Sequence, residues 1–135
     1  MELQVGVKAL LKNNDGKYLL LKRSPEKYPE VSEKEQWDIP GGRINIGSPL
    51  LDNLKREIKE EISLDLIGEP QLITAQDILR IPGRHVVRLT YVGLVNGNPK
   101  LSEDHSEFRW FTREELENLE DLDEYLKELL KNGDL

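Results

Sequence analysis

Cysteine is absent from this chain of 135 residues, and methionine occurs only once. Without cysteine there is no disulfide, no zinc or iron–sulfur site with thiolate ligands, and no thiol nucleophile. A cysteine-free chain suits a reducing compartment, and we expect a cytoplasmic protein. The sequence also lacks a run of about 18 apolar residues, and its N-terminus lacks the basic-then-apolar pattern of a signal peptide. We therefore expect no association with membranes.

Charge is plentiful by contrast. Charged residues make up 33% of the chain, and 26 acidic residues outweigh 19 basic ones to give a net charge of −7. This negative surplus repels a phosphate backbone, so general nucleic-acid binding is not expected. An acidic protein can still bind a phosphorylated small molecule when a metal ion mediates the contact. The length suits one domain with one core, so residues 1–135 are predicted to form a single domain.

Hydrophobic periodicity predicts strands in both halves of the chain. The predicted strands cover residues 3–11, 18–21, 37–42, 71–79, 85–95 and 108–111. Asp15-Gly16 lies between the first two and is typical of the turn of a β-hairpin. Residues 24–36 contain two prolines and many charges, which predicts a long surface loop.

Three helices are predicted. The clearest spans Pro49–Ile62, with Ser48 as N-cap and Pro49 at the first helical position. Thr112 and Glu115 form the pattern of a capping box at the start of a short helix. A last helix carries an apolar stripe and ends near Gly133. Strands interrupted by one long helix and followed by helices predict an α/β sandwich with a mixed sheet.

The first of these helices carries acidic residues beside its apolar stripe. With Glu57 set at zero on the helical wheel, Glu61 lies at about 40° and Glu60 at about −60°. Leucines and isoleucines occupy the neighbouring angles, so Glu57 and Glu61 lie at the margin of the buried face. Two such carboxylates repel each other, and a divalent cation would reverse that penalty. Clustered carboxylates suit Mg²⁺ or Mn²⁺, although a charged, solvated helix face is an alternative.

The surrounding residues resemble the Nudix box, whose pattern is G-x5-E-x7-R-E-U-x-E-E-x-G-U, with U an aliphatic residue. The matching positions are Gly42, Arg56, Glu57, Ile58, Glu60, Glu61 and Leu64. The preceding Trp37-x-x-Pro40-Gly41-Gly42 and the later Phe108-Arg109-Trp110-Phe111 also resemble segments of that family. Two positions depart from the pattern, because Ser48 replaces the first glutamate and Ser63 replaces the last glycine. Ser63 would be strained at a positive φ, so we expect a reshaped helix end.

The resemblance implies a Nudix-type α/β/α sandwich and hydrolysis of a phosphoanhydride bond in a nucleoside diphosphate derivative, with Mg²⁺ or Mn²⁺. It implies that Glu57 and Glu61 are the main catalytic metal ligands, and that Glu60 is an additional ligand or a carboxylate that orients the base. Arg56, also a candidate catalytic residue, can pair with Glu60 one turn away and help to orient the neighbouring carboxylates. The carbonyl of Gly41 is a further candidate ligand. Metal ions neutralise the diphosphate and lower the pKa of the attacking water, whose proton a carboxylate takes.

Outside the box the candidates are weaker. Asp104, in the sequence Glu103-Asp104-His105, is the best candidate for an additional metal ligand or base, although a solvated acidic loop explains it equally well. Arg23 could bind a substrate phosphate or be an edge-strand charge. Within the box, its first glycine, Gly42, is a candidate substrate contact at the bend. Substrate selectivity is expected from residues 24–36 and 77–84. A homodimer is left open, because many members of that family are dimers.

Two other functions compete with hydrolysis. A Nudix fold with Ser48 in place of the glutamate could bind or sense a nucleotide without turnover. An interaction domain could use its acidic surface only for solubility. The sequence has no phosphate-binding G-x-x-x-x-G-K-[ST] loop, zinc-protease H-E-x-x-H motif or G-x-S-x-G nucleophile elbow, which argues against those enzyme classes.

Overall fold

Seven strands and three helices form within residues 1–28 and 35–135, the part of the chain that this computed structural model describes. The strands are β1 (Glu2–Lys12), β2 (Tyr18–Arg23), β3 (Trp37–Asp38), β4 (Gly41–Arg43), β5 (Ile67–Ile78), β6 (Arg84–Leu94) and β7 (His105–Phe111). The helices are α1 (Leu50–Ile62), α2 (Arg113–Glu117) and α3 (Glu124–Asn132). Residues 29–34 of the predicted loop 24–36 lie outside the described residues.

The strands form one mixed sheet in the order β3-β2-β1-β6-β5, with β4 on β1 and β7 on β2. β1 runs parallel to β6 along its whole length, from Glu2↔Arg84 to Lys12↔Leu94. The predicted hairpin is much shorter than expected, since β1 and β2 pair only at Lys12↔Tyr18. The strands then separate because β4 takes the edge of β1 at residues 6–8. The resulting gap between β1 and β2 positions the candidate site.

Helices cover both faces of this sheet, as predicted. On one face α1 packs Leu54, Ile58 and Ile62 against alternate residues of β1 and β2. On the other face the core cluster contains Leu116 of α2 and both Leu126 and Leu129 of α3. Burying a leucine or isoleucine side chain contributes about 1.5–3 kcal/mol, so the two clusters account for the sandwich. The prediction of an α/β sandwich with a mixed sheet is confirmed.

The ends of α1 differ from the prediction. Pro49 is the N-cap and Ser48 makes no capping bond. The buried Asn53 side chain instead donates to the carbonyls of Ser48 and Pro49, at 3.0 and 2.7 Å. Ser63 adopts the left-handed conformation, with φ 56°, and its N–H donates to Lys59 O. The expectation of a reshaped helix end was therefore wrong.

The later helix boundaries follow the predicted signals. Thr112 and Glu115 form both bonds of the capping box at α2. Gly133 ends α3 in the left-handed conformation, while Asp123 caps its start by accepting from the N–H groups of Tyr125 and Leu126. In the described part of the chain, no helix is both long and apolar enough to cross a membrane.

Candidate active site

The three glutamates of α1 point in different directions. Glu61 is buried, with 7% of its surface exposed, because it faces the core edge of the helix. The Glu57 side chain is 15% exposed, whereas that of Glu60 is 59% exposed and lies on the outside of the helix. The structure therefore brings Glu57 and Glu61 towards the sheet, and it places Glu60 towards solvent beside Arg56.

The Gly41–Gly42 bend meets these two carboxylates. The amide N–H of Gly41 donates to Glu61 Oε2 at 2.7 Å. A Cβ atom on Gly42 would lie 2.8 Å from both the Cδ and Oε1 atoms of Glu57, so only glycine leaves room for that carboxylate. Gly41 has φ 148°, a conformation rare for residues with side chains. The two glycines shape a recess in the backbone into which both acids extend.

Arg56 holds the neighbouring groups in place. Its guanidinium donates to Glu57 Oε1 at 3.0 Å and to Glu60 Oε2 at 3.4 Å. It also donates to Asn53 Oδ1 at 3.1 Å, and Asn53 in turn accepts from the backbone N–H of Asn45 at 2.9 Å. Arg56 therefore connects α1 to the segment that follows the bend.

A cluster of buried charges lies behind the bend. Asp38, 2% exposed, accepts hydrogen bonds from Lys8, Arg23 and Arg88. Asp123 pairs with Arg23 at 3.2 Å and with Arg88 at 3.1 Å. We call these five residues the charge cluster. Burial alone raises the pKa of Asp38, but the three cations outweigh burial and hold that pKa well below its usual value.

Two cavities adjoin the charge cluster. One has a volume of about 470 Å³ and is lined by Lys8, Glu61 and His105, among others. The other, of about 340 Å³, is lined by Gly42 and by the apolar side chains of Ile78 and Val86. We call their combined space the groove. Volumes of this size suit a small-molecule ligand.

The two candidate residues outside the Nudix box, Arg23 and Asp104, have different surroundings in the structure. Arg23 lines the groove, but its guanidinium is already bonded to Asp38, Asp123 and the carbonyl of Glu35. The backbone carbonyl of Asp104 accepts from the N–H of Ser24 at 3.1 Å. Within residues 1–28 and 35–135, the Asp104 side chain does not join Glu57 and Glu61 in a cluster of potential metal ligands.

Burial changes the protonation of two groups that line the groove. It raises the pKa of Glu61 to about 7, although Lys8 and the Gly41 amide act in the opposite direction. It lowers the pKa of His105 to about 4, so that ring is neutral at pH 7. His105 Nδ1 is buried and has no hydrogen-bond partner in the described part of the chain. Glu61 can therefore accept or hold a proton near neutral pH.

The donor set fits a hard divalent cation in part. Glu57 and Glu61 supply carboxylate oxygens, which Mg²⁺ and Mn²⁺ prefer, and Gly42 leaves the space that the Glu57 carboxylate fills. Across residues 1–28 and 35–135, however, no three histidine or acidic side chains come together as a complete ligand set. Glu60 would have to leave Arg56 to join the other two. Gly41 binds Glu61 through its backbone N–H, whereas the expected metal ligand is its carbonyl oxygen.

The sequence patterns identify Arg23 as a candidate, but not the other four members of the charge cluster or Asn53. Lys8 and Arg88 alternate with apolar residues in their strands, a pattern typical of solvent-facing charges. Asp38 offered the better signal, because it lies between the buried residues Trp37 and Ile39. A carboxylate at such a position needs a cation partner.

The profile of the NUDIX domain family matches residues 2–132, almost the whole chain. This chain belongs to the NUDIX family. Among solved NUDIX-fold structures, the MutT protein of Methanosarcina mazei is 28% identical, with a TM-score of 0.81 over 98% of this chain and 93% of that one. A MutT NUDIX hydrolase of Burkholderia pseudomallei is 26% identical, with a TM-score of 0.78 over 97% of this chain and 98% of that one. The Nudix-type sandwich that the resemblance implied is confirmed.

A curated relative from Mycobacterium tuberculosis bears the name "Putative 8-oxo-dGTP diphosphatase 2". It is 28% identical over 92 residues, which is 68% of this chain. The match spans 63% of the length of that relative.

Proposed function

We propose that this NUDIX chain hydrolyses a phosphoanhydride bond in a nucleoside diphosphate derivative. The observation that carries the proposal is the placement of Glu57 and Glu61 against the Gly41–Gly42 bend, at the edge of a groove lined by cations. Family membership and the named M. tuberculosis relative support the reaction class. That relative also favours an oxidised purine nucleoside triphosphate as the substrate.

Each group at the bend has a part in this reaction. Water adds to phosphorus, the P–O bond to the leaving phosphate breaks, and a proton passes to a carboxylate. Mg²⁺ or Mn²⁺, when bound, neutralises the phosphates and acidifies water. Arg56 orients Glu57, and the Gly41 amide orients Glu61. A carboxylate at the bend accepts the proton of the attacking water, directly or through a second water.

Turnover assays test the proposal. The purified chain is incubated with Mg²⁺ or Mn²⁺ and a panel of nucleoside triphosphates including 8-oxo-dGTP, nucleotide sugars and ADP-ribose. We expect metal-dependent release of phosphate or nucleotide. Glu57→Gln should lower turnover by roughly 100-fold or more, as expected for losing a group that acts on transition-state charge. Glu69→Gln, at an exposed position of β5, is the matched control.

Other outcomes separate the alternatives. Tight nucleotide binding without turnover would contradict hydrolysis and support a sensing module, for which Ser48 is the motivating departure. If no member of the panel binds and Mg²⁺ leaves the melting temperature unchanged, both ligand-dependent functions are excluded. Equal turnover of Glu57→Gln and Glu69→Gln would contradict the assignment of Glu57.

A further inference from the structure

Asn53 is a buried polar side chain on the helix that carries the active-site carboxylates. It is the fourth residue of α1 and is 0% exposed. Asparagine is a poor helix former, and a buried amide whose donors and acceptors are unpaired destabilises a fold. The hydrogen bonds of the Asn53 side chain therefore decide what this residue contributes.

The Asn53 amide uses its whole hydrogen-bonding capacity. Its Nδ2 donates to the carbonyls of Ser48 and Pro49, at 3.0 and 2.7 Å. Its Oδ1 accepts from the backbone N–H of Asn45 at 2.9 Å and from Arg56 Nη2 at 3.1 Å. An amide has two N–H donors and two acceptor lone pairs, so every position is filled. These bonds fix the orientation of the amide, with its oxygen towards Arg56.

The bond to Arg56 extends to an active-site carboxylate. Arg56 follows Asn53 by three positions, a spacing at which side chains on a helix are neighbours. The Nη1 atom of Arg56 donates to Glu57 Oε1 at 3.0 Å, while Nη2 binds Asn53. The Arg56 side chain is 33% exposed, and a long side chain with so much freedom needs a second fixed partner to keep one rotamer. Asn53 therefore restricts the guanidinium, which in turn restricts the Glu57 carboxylate.

The Nudix box has a glutamate at the position that Ser48 occupies in this chain. The Ser48 carbonyl and Arg56 Nη2 both bind the Asn53 amide, so they lie no more than about 8 Å apart. A glutamate side chain together with one hydrogen bond spans about the same distance. A carboxylate at position 48 would thus be within reach of Arg56. The acceptor that such a carboxylate would offer is supplied here by Asn53 Oδ1.

We infer that Asn53 is a positioning residue that supplies Arg56 with the acceptor missing at position 48, and through Arg56 orients Glu57. The inference rests on the proposed function for its effect on turnover. The two sides of the amide have separate tasks. Nδ2 fixes the backbone before α1, whereas Oδ1 holds the guanidinium and the segment after the bend. The serine at position 48 is therefore compensated within this chain.

Two substitutions at position 53 separate these tasks. Asn53→Ala removes both sides of the amide, so it should lower kcat about tenfold, the usual effect of losing a hydrogen bond to a charged group, and raise KM. Asn53→Asp keeps an acceptor for Arg56 but has no N–H for the two carbonyls. It should lower the melting temperature as Asn53→Ala does, while kcat stays within about threefold of that of the unaltered protein. Asn118→Ala, which removes an amide bonded to the Glu114 carbonyl of α2, is the matched control.

Ser48→Glu tests the replacement directly. In the unaltered protein Arg56 already has its acceptor, so the added glutamate should change kcat by less than about twofold. In the Asn53→Ala background it should restore most of the lost kcat, because the carboxylate takes over the bond to Arg56. Any gain from an acidic residue before α1 is the same in both backgrounds and cancels in the comparison.

Three kinetic results would overturn the inference. One is a gain from Ser48→Glu that is equal in the two backgrounds. Another is an Asn53→Ala protein that loses stability but keeps the kcat and KM of the unaltered protein. The third is a rise of about tenfold or more in turnover when Ser48→Glu is made in the unaltered protein, since the serine would then be uncompensated.

NMR signals of the Arg56 guanidinium, assigned by their loss in Arg56→Lys, provide a readout without turnover. Separate Nη signals in the unaltered protein should merge in Asn53→Ala and separate again when Ser48→Glu is added, because a held guanidinium rotates slowly. If they do so and no nucleotide is hydrolysed, only the proposed function fails. If nucleotides are hydrolysed and Asn53→Ala leaves these signals unchanged, only the inference fails.

Discussion

Alanine substitutions at the adjacent residues Gly41 and Gly42 should affect different properties. Gly41→Ala should mainly lower the free energy of unfolding, and Gly42→Ala should mainly lower turnover. At Gly41 the added Cβ would overlap the carbonyl oxygen of Val7 and lie 2.8 Å from Lys8 Cα. Both atoms are backbone atoms of β1, so the strands β1 and β4 would have to separate. At Gly42 the added Cβ would meet only the end of the Glu57 side chain, which can rotate away.

The magnitudes follow from these contacts. Gly41→Ala combines backbone strain at φ 148°, of order 1–3 kcal/mol, with overpacking that typically costs another 1–3 kcal/mol. We expect a loss of about 4 kcal/mol in the free energy of unfolding, or about 15 °C in melting temperature. Gly42 has no positive φ, so Gly42→Ala should cost less than about 1 kcal/mol. It should nevertheless lower turnover nearly as much as Glu57→Gln, because the carboxylate is displaced.

Urea denaturation and steady-state turnover measure the two effects separately. Gly16→Ala is the matched control, since Gly16 has φ 75° but no atom within 4 Å of the added Cβ. It should cost only the left-handed backbone penalty, about 1 kcal/mol. Equal stability of Gly41→Ala and Gly16→Ala would refute the close approach of β1. Unchanged turnover in Gly42→Ala would refute the functional position of the Glu57 carboxylate.

Three further substitutions probe the supporting structure. Asp38→Asn leaves the buried Arg88 and the half-buried Lys8 and Arg23 underpaired. It should lower stability by about 3–5 kcal/mol in urea denaturation, against a change below about 0.5 kcal/mol for the exposed Asp65→Asn. The pKa of Asp38 is depressed in the folded protein, so its carboxylate stabilises the fold above about pH 4 and loses that effect in acid. The difference in free energy of unfolding between the unaltered protein and Asp38→Asn should therefore shrink as the pH falls. A difference that did not change with pH would contradict this. Asn53→Ala should lower the free energy of unfolding by about 2–3 kcal/mol, because the side-chain bonds to Asn45 and Ser48 are lost. It should also raise KM, because the segment after the bend is no longer held in place. A loss of stability with an unchanged KM would show that Asn53 serves folding alone. Ser63→Gly should raise the melting temperature by about 4 °C, because it removes the backbone strain at φ 56°. A melting temperature below that of the unaltered protein would show that the serine is not strained.

The features predicted correctly from sequence are those that depend on nearby residues. Helical periodicity placed Glu61 at the margin of the apolar stripe of α1, and the structure buries it there. The Thr112–Glu115 capping box depends on four consecutive residues and forms as predicted. Such patterns are local, so the sequence contains all the information that they need.

The features that sequence could not provide depend on competition between distant groups. Asp38 and Asp123 are far apart in the chain, and only the packing of α3 against the sheet brings both to Arg23 and Arg88. The incorrect N-cap at Ser48 has a similar origin. Ser48 is a good capping residue, but the helix begins after Pro49, and the Asn53 amide donates to the carbonyls of Ser48 and Pro49. The residue type at position 48 alone cannot show how a side chain one turn later fixes the backbone before the helix.

The bonds of the charge cluster should make folding and ligand binding respond together to mutation. Asp38 belongs to β3, Arg88 to β6 and Asp123 to the cap of α3, so their bonds fix the walls of the groove relative to each other. Removing Asp38 should weaken folding and ligand binding together, because the same bonds serve both. An Asp38→Asn protein that lost stability but kept the KM of the unaltered protein would show that these bonds do not shape the groove.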